Sequence, residues 1–282
     1  MAIITLRPRS VLAISLASLT AAMAFTWPLL VAPESTVAHS ADAPLVLALL
    51  LPLLLAVVLV EIAEGGLDVR AVAMLGILSA IGAGLRPLGA GAAGLETVFF
   101  LLVLAGRVFG AGFGFVLGAL TLFASALVTG GVGPWLPFQM AAAAWVGLGA
   151  GLLPRARGRV EVWLLAAYGG FAGLAYGVLL NLSFWPFNVG AGNQLSFVAG
   201  DPILANLRRF LAFSLATSLG WDLGRALTNV VLILVTAVPV LATLRRAARR
   251  AAFEAPVVFD DPGTPAGRPL AQSAHAADRA RP

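Results

Sequence analysis

"GFGFVLGALTLFASALVTGGVGPWLPFQM" runs from Gly112 to Met140, and its reading decides the fold. The part up to Thr129 carries no charge and is close to the roughly twenty residues that cross a bilayer as a helix. The stretch "GGVGPWLPFQM", Gly130 to Met140, then holds three glycines, two prolines, a tryptophan and a glutamine. Pro134 suits the first turn of a new helix, where its missing N–H costs nothing. Trp135 suits an interfacial belt. Gln139 lies four residues further on and on the same helical face. An amide one turn into a span is costly unless it finds partners. A helix N-terminus also presents free N–H groups and the positive end of its dipole. The stretch therefore predicts a membrane helix, a turn at the outer surface, and one wall of a polar-rimmed pocket. The plainer alternative is a belt tryptophan beside a helix–helix hydrogen bond.

The whole chain agrees with the membrane reading. It has 282 residues, 60% of them hydrophobic and 11% charged, with a mean hydropathy of +0.96. A soluble domain of this size cannot hide so much apolar surface. There is no cysteine, which excludes disulfides and Cys-based metal sites. All eighteen basic residues are arginine, so a P-loop with its phosphate-reaching lysine is excluded as well. The high pI reflects arginines at helix ends, a topology pattern more than a nucleic-acid surface.

Apolar spans fall at about 11–31, 43–63, 70–85, 97–109, 111–130, 135–153, 162–186 and 222–244, with an amphipathic stretch over 203–219 that either spans or lies at the outer surface. The span over 97–109 reaches only about 20 Å, so it must be buried in protein or sit in a thinned bilayer. Arg7 and Arg9, Arg70, Arg107, the run Arg155, Arg157 and Arg159, and the cluster Arg245, Arg246, Arg249 and Arg250 fall at alternate connections. The positive-inside rule makes that side cytoplasmic and places both termini there, in a multi-pass cell-membrane protein. Arg86, Arg208 and Arg209 are left outside. The first span follows a basic segment like that of a signal peptide, but its apolar run is long and more spans follow, so it reads as a retained helix. The Pro-, Ala-, Asp- and Arg-rich segment 251–282 lacks periodicity and reads as a disordered cytoplasmic tail.

From Arg70 onward the text becomes more specific. A helix ending in "LR", a Gly-rich loop, a short helix ending in "AGRVFG", the helix "GFGFVLGALTLFASALVTGG", then "GPWLPFQM", and a closing "GWDLGRALTNVVLILVTAVPVLATLRR" together resemble the substrate-binding S component of energy-coupling factor (ECF) transporters. The resemblance covers roughly 70–247 and implies a six-helix core, written here as 66–250. Residues 1–65 depart from the family by adding two helices. The expected fold is thus an all-α membrane protein of about eight transmembrane helices. The resemblance implies capture of a vitamin or vitamin precursor from outside, followed by docking on a transmembrane coupling subunit driven by two ATPase subunits. It points first to a cobalamin-type ligand and next to a thiamine precursor.

Small residues recur every fourth position in Gly76, Ala80, Gly84 and in Ala13, Ala17, Ala21. Such spacing lets membrane helices approach closely. It serves either internal packing or partner docking, and the resemblance favours Gly76, Ala80 and Gly84 as the docking face. Gly110 and Gly112 predict a tight turn, and Gly114 and Gly118 a further close-packing face. Polar and aromatic groups expected at the depth of the pocket are Arg86, Glu96, Trp135, Gln139, Asn181, Trp185, Trp221, Asp222, Arg225 and Asn229. Asn188, Asn193 and Gln194 lie in the loop beyond. Aromatics in that set can stack on a ring while amides and arginine read its polar groups. An Asp222–Arg225 structural clamp is the plainer reading of that pair.

No enzyme constellation is present. His39 and His275 are the only histidines, and neither HExxH nor GxSxG occurs. A metal substrate is disfavoured because nickel and cobalt sites need His clusters. The sequence therefore implies a binding protein with no cofactor, no metal and no nucleic-acid partner, seated in a lipid bilayer. The rival expectations are a non-transporting membrane scaffold or assembly protein, and a transferase for lipid-linked substrates.

Overall fold

The computed structural model describes residues 8–30, 53, 56, 69–89, 94–188, 195–198 and 200–251. Most of the expected span over 43–63, the expected tail from 252 onward, His39, His275, Asn193, Gln194 and the Asn188 side chain lie outside the described residues. Eight helices are described: α1 (Pro8–Leu30), α2 (Val69–Gly89), α3 (Phe99–Phe109), α4 (Ala111–Thr129), α5 (Leu136–Leu152), α6 (Gly158–Asn188), α7 (Ile203–Thr217) and α8 (Leu219–Ala251). No strand occurs among the described residues. Within α1, α2, α4, α6 and α8 lie stretches long and apolar enough to cross a membrane, while α3 and α5 are shorter apolar helices. The chain is an all-α integral membrane protein.

The short helices are the buried ones. Nine of the eleven residues of α3 are buried, and α4 and α5 bury most of theirs. A helix too short to cross the bilayer alone is thus wrapped in protein, which satisfies the length constraint without thinning the membrane. The close approach that wraps it is made by glycine. A Cβ on Gly114 would strike the Gly147 carbonyl, one on Gly147 the Gly114 carbonyl, one on Gly118 the Ala143 carbonyl, and one on Gly106 the Gly147 carbonyl. Three helices meet there backbone to backbone, and α4 with α5 forms the most extensive pair in the bundle. In a membrane, where lipid is as apolar as leucine, such packing replaces the hydrophobic drive. The turn between α3 and α4 is a single residue, Gly110, whose φ of 109° only glycine adopts readily. Gly112 lies inside α4 instead of sharing that turn.

Two sets of contacts fix the helix directions. Trp145 Nε1 donates to Ser18 Oγ at 3.0 Å, and Phe25 stacks on Phe138 with centroids 4.9 Å apart. Helix α1 is therefore antiparallel to α5, and its buried Ala17 and Ala21 face inward, so that alanine stripe serves internal packing. Arg86 near the end of α2 meets Ser125 near the end of α4, so these two run parallel. The starts of α1, α2, α4 and α6 and the ends of α3, α5 and α8 gather at one end of the bundle. Most of the described arginines lie at this end.

That end is clamped. Glu161 Oε1 accepts from Arg107 Nε at 2.9 Å and from Arg245 NH2 at 2.7 Å, tying α6 to α3 and α8. Arg107 NH1 also donates to the carbonyls of Leu153 and Pro154, both at 3.0 Å, in the connection that follows α5. At the opposite end α7 crosses α6 obliquely. Ser218, just past the end of α7, meets Asn181 while Phe210 meets Trp185, so eight residues along α7 and its cap advance against four of α6.

The glycine crossing makes a direct prediction. Gly114→Ala forces a methyl against a carbonyl that has no rotamer to yield, and overpacking of this kind costs roughly 1–3 kcal/mol. Gly76→Ala on the open face of α2, where an added Cβ meets nothing within 4 Å, gains only helix propensity. Thermal unfolding of the two variants in detergent should show a clearly lowered midpoint for Gly114→Ala and an unchanged or raised one for Gly76→Ala.

Candidate functional site

The end opposite the arginine clamp carries a cavity of about 360 Å³ lined by Arg86, Pro87, Glu96, Ser125, Thr129, Gly131, Trp135 and Gln139. Its walls come from four pieces of chain. The last turn of α2 supplies Arg86 and Pro87. The segment before α3 supplies Glu96. The last turns of α4 supply Ser125 and Thr129, and the start of α5 supplies Trp135 and Gln139.

Each piece is held by local chemistry. Helix α4 stops at Gly130, which takes the left-handed conformation at φ 65° and returns its N–H to the Ala126 carbonyl. Pro134 lies in the turn that follows, and α5 begins at Leu136. Pro137, not Pro134, therefore occupies the first helical turn, where a donor is dispensable. The Trp135 indole N–H donates to the Gly131 carbonyl at 3.1 Å. That bond uses up the only polar group of the ring and leaves its faces for apolar contact. Trp135 is 52% exposed, which makes it the rim of the cavity. On the far wall, Thr97 Oγ1 donates to the Leu85 carbonyl at 2.6 Å and pins the connection between α2 and α3 to the last turn of α2.

Arg86 is the centre of the polar wall. Its Nε lies 3.5 Å from Glu96 Oε1, its NH1 3.5 Å from Ser125 Oγ and its NH2 3.3 Å from Gln139 Oε1. Glu96 reaches behind the cavity to Arg225 Nε at 3.8 Å. Arg225 NH1 pairs tightly with Asp222 Oδ1 at 2.7 Å, and Arg225 Cζ lies 5.3 Å from the ring centroid of Tyr176, which in turn stacks on Phe99. Gly177 leaves room for the pair, because a Cβ there would collide with the Asp222 carboxylate. Gly94, at φ 77°, brings the Glu96 segment down onto the Trp221 carbonyl. The charged groups thus form one chain: Arg86, Glu96, Arg225, Asp222.

Of the ten residues expected at the pocket, Arg86, Glu96, Trp135 and Gln139 line the cavity, and Asp222 and Arg225 stand directly behind Glu96. The other four lie elsewhere. Trp185 is 0% exposed, and its indole donates to the Leu195 carbonyl at 2.7 Å. Its ring is packed among Phe197 and Phe210, in a separate apolar cluster under α7. Asn181 Oδ1 accepts from Ser218 Oγ at 3.1 Å, at the joint of α7 and α8. Trp221 is half exposed on the first turn of α8, with its carbonyl against Gly94. Asn229 is fully buried one helical turn below Arg225, beside Gly169 and Gly173 of α6, and both its amide atoms lack a partner among the described residues.

Sequence reasoning missed Ser125 and Thr129. Their four-residue spacing on the last turns of α4 was a usable sign. It also missed Gly169, Gly173 and Gly177, a glycine stripe of the same four-residue period that seats Asn229, Arg225 and Asp222. No three His, Cys, Asp or Glu residues gather as a metal site among the described residues. The arrangement can bind a small molecule through an arginine, hydroxyls, an amide, a carboxylate and one aromatic face. Compared with protein-family models, curated proteins and solved structures, the chain gives no match.

Proposed function

We propose that this protein is the substrate-capturing membrane subunit of an ECF-type importer, and that it binds a small nutrient in the Arg86 cavity before docking on a coupling subunit with two ATPases. The observation that carries this reading is the cavity itself: a polar-walled, aromatic-rimmed hollow at one end of a helical bundle. On this reading the cavity end faces outward and the arginine-rich end faces the cytoplasm with both termini, in the cell membrane. At about 360 Å³ the cavity is near the lower bound of ligand pockets, which run from about 300 to 1,000 Å³. That size favours a compound of one or two rings, such as a thiamine precursor, over a corrinoid.

The proposed docking face is the open stripe of α2. Gly76, Ala80 and Gly84 are all exposed, and nothing lies within 4 Å of a Cβ added at either glycine. The stripe faces away from α4, the helix α2 packs against most. A scaffold protein is the rival reading, favoured by the internal pairing of Arg225 with Asp222. Mass spectrometry of small molecules released from the purified protein separates the two. A defined bound compound supports capture, and an empty cavity in protein grown on rich medium supports the scaffold.

Three outcomes follow for the purified chain. Ligand binding needs no ATP, whereas uptake requires partner subunits. Uptake by this chain alone in ATP-free liposomes would mark a secondary carrier instead. Gln139→Leu removes one hydrogen-bonding group from the wall and is expected to weaken binding roughly tenfold, since about 1.4 kcal/mol is one decade. Trp135→Ala, which also loses stacking, should do at least as much harm, with thermal stability near normal in both. Trp185→Ala should do the opposite, lowering stability through loss of a buried ring while sparing affinity in the protein that folds. Isothermal titration with the ligand identified beforehand reads all three variants. Ala80→Trp should weaken association with the coupling subunit in co-purification while leaving ligand binding intact. Lost binding with an intact complex would move the docking face elsewhere.

A further inference from the structure

The contacts of Arg86 are long. Its three partners stand at 3.3–3.5 Å. Among the described residues, four other ion pairs are shorter: 2.7 Å for Arg225 with Asp222, 2.6 Å for Arg209 with Asp201, and 2.9 and 2.7 Å for the two arginines on Glu161, while Arg225 with Glu96 is longer at 3.8 Å. Charge-assisted N–H···O bonds favour about 2.7–2.9 Å. Arg86 is thus surrounded by oxygens yet closely bonded to none, and its side chain is 22% exposed toward the cavity.

The other groups around it are donors with capacity to spare. Ser125 Oγ accepts from Arg86, which leaves the hydroxyl proton free to donate. Gln139 accepts from Arg86 through Oε1, which leaves its NH₂ unpartnered among the described residues. Thr129 has turned its own proton to the Ser125 carbonyl at 2.8 Å and is out of the competition. Arg86, Gln139 and the fully buried Ser125 hydroxyl therefore line one volume with donors to spare. Glu96, the only carboxylate among the described residues that line that volume, has a second cation 3.8 Å away in Arg225. It can release Arg86 without being left unpaired, which would otherwise be the main cost of letting an anion in.

From this geometry we infer that Arg86, Ser125 and Gln139 form a receptor for a carboxylate or phosphate oxygen of the captured molecule. Glu96 is the internal counter-ion that the ligand displaces from Arg86 toward Arg225. The inference rests on the small-molecule capture reading and adds the charge of the ligand: a small, ring-bearing anion, its ring against the Trp135 face and its acid group on Arg86.

Matched aromatic probes test this. Benzoate, indole-3-acetate and phenyl phosphate are compared with benzamide, indole-3-acetamide, benzyl alcohol and benzylamine. Binding to the full chain in detergent is measured at millimolar concentration by saturation-transfer NMR. The anions should bind in preference to their neutral and cationic partners. Arg86→Gln should weaken anion binding at least about tenfold, Arg86→Lys should restore part of it, and Glu96→Gln, which removes the competing carboxylate, should strengthen it. Arg208→Gln, at an exposed position of α7 outside the cavity, should leave it unchanged. Equal or better binding of the neutral or cationic probes overturns the anion assignment and leaves small-molecule capture standing. So does anion binding that survives Arg86→Gln. Failure of every probe, whatever its charge, overturns both.

Discussion

The contact on which the rest of this structure depends is the one between the backbones of Gly114 and Gly147. The backbone at each glycine occupies the space that a side chain on the other would need, so α4 and α5 meet backbone to backbone. Gly106 joins them from α3 and makes the crossing three-sided. Hydrophobic burial cannot drive this association in lipid. Dispersion between closely packed backbones and side chains can, because each small contact is repeated along the seam. The crossing also explains how α3, only 11 residues long, survives in a membrane protein. It is an interior helix, and the bilayer does not set its length.

The site inherits its shape from that crossing. Held together low in the bundle, α4 and α5 are joined above it by the glycine-rich turn, and the hollow lies between that turn, α2 and the segment before α3. The two ends of the bundle then treat charge in opposite ways. At the arginine-rich end Glu161 is shared by two arginines at short distances, and Arg107 spends its remaining donors on carbonyls of the α5–α6 connection. Arg107 and Glu161 are both fully committed there, which makes a rigid fastening. At the cavity end Arg86 and Glu96 sit at a longer distance, 3.5 Å, although Asp222 behind them holds Arg225 at 2.7 Å. A buried ion pair stabilises only when its geometry is close and its remaining polar atoms are satisfied. By that standard Glu161 fastens the fold, and the pairing of Arg86 with Glu96 contributes little to it.

How much of this was legible in the sequence depended on how local the determinants were. Helix limits followed from apolar length and from Gly and Pro, so the spans over 70–85, 97–109, 111–130 and 135–153 match α2 to α5 within a few residues. The pairing of Trp135 with Gln139 was legible because two residues four apart share a helical face. Gly114 and Gly118 were legible as a close-packing face, though not the identity of the partner helix. Trp185 and Asn181 share the same spacing at the end of α6, and there the rule led to the wrong surroundings. Their neighbours are Leu195, Phe210 and Ser218, supplied by a loop, by α7 and by the joint of α7 and α8, 10 to 37 residues away, and no periodicity reports where an oblique helix will lie. Ser125 and Thr129 were hidden for a related reason: inside a strongly apolar helix they read as ordinary small polar residues until α2 brings Arg86 against them.

Glu96 shows why a charge at the membrane rim is best judged by its alternatives. It has two arginines within 4 Å and is tightly bound to neither. Asp222 already holds Arg225 at 2.7 Å, over the face of Tyr176 and against Gly177. Arg225 is therefore an anchored cation, fixed by α6 and α8, whereas Arg86 at the end of α2 is held only by long contacts. A carboxylate between one anchored and one loosely held cation can change partner at little cost, because it is never without a counter-charge. The anchored side of this chain belongs to the pair α6 and α8. The loose side belongs to α2, whose opposite face is the open glycine and alanine stripe. Whatever exchanges Glu96 between its two arginines thus acts on α2, the helix that carries Arg86.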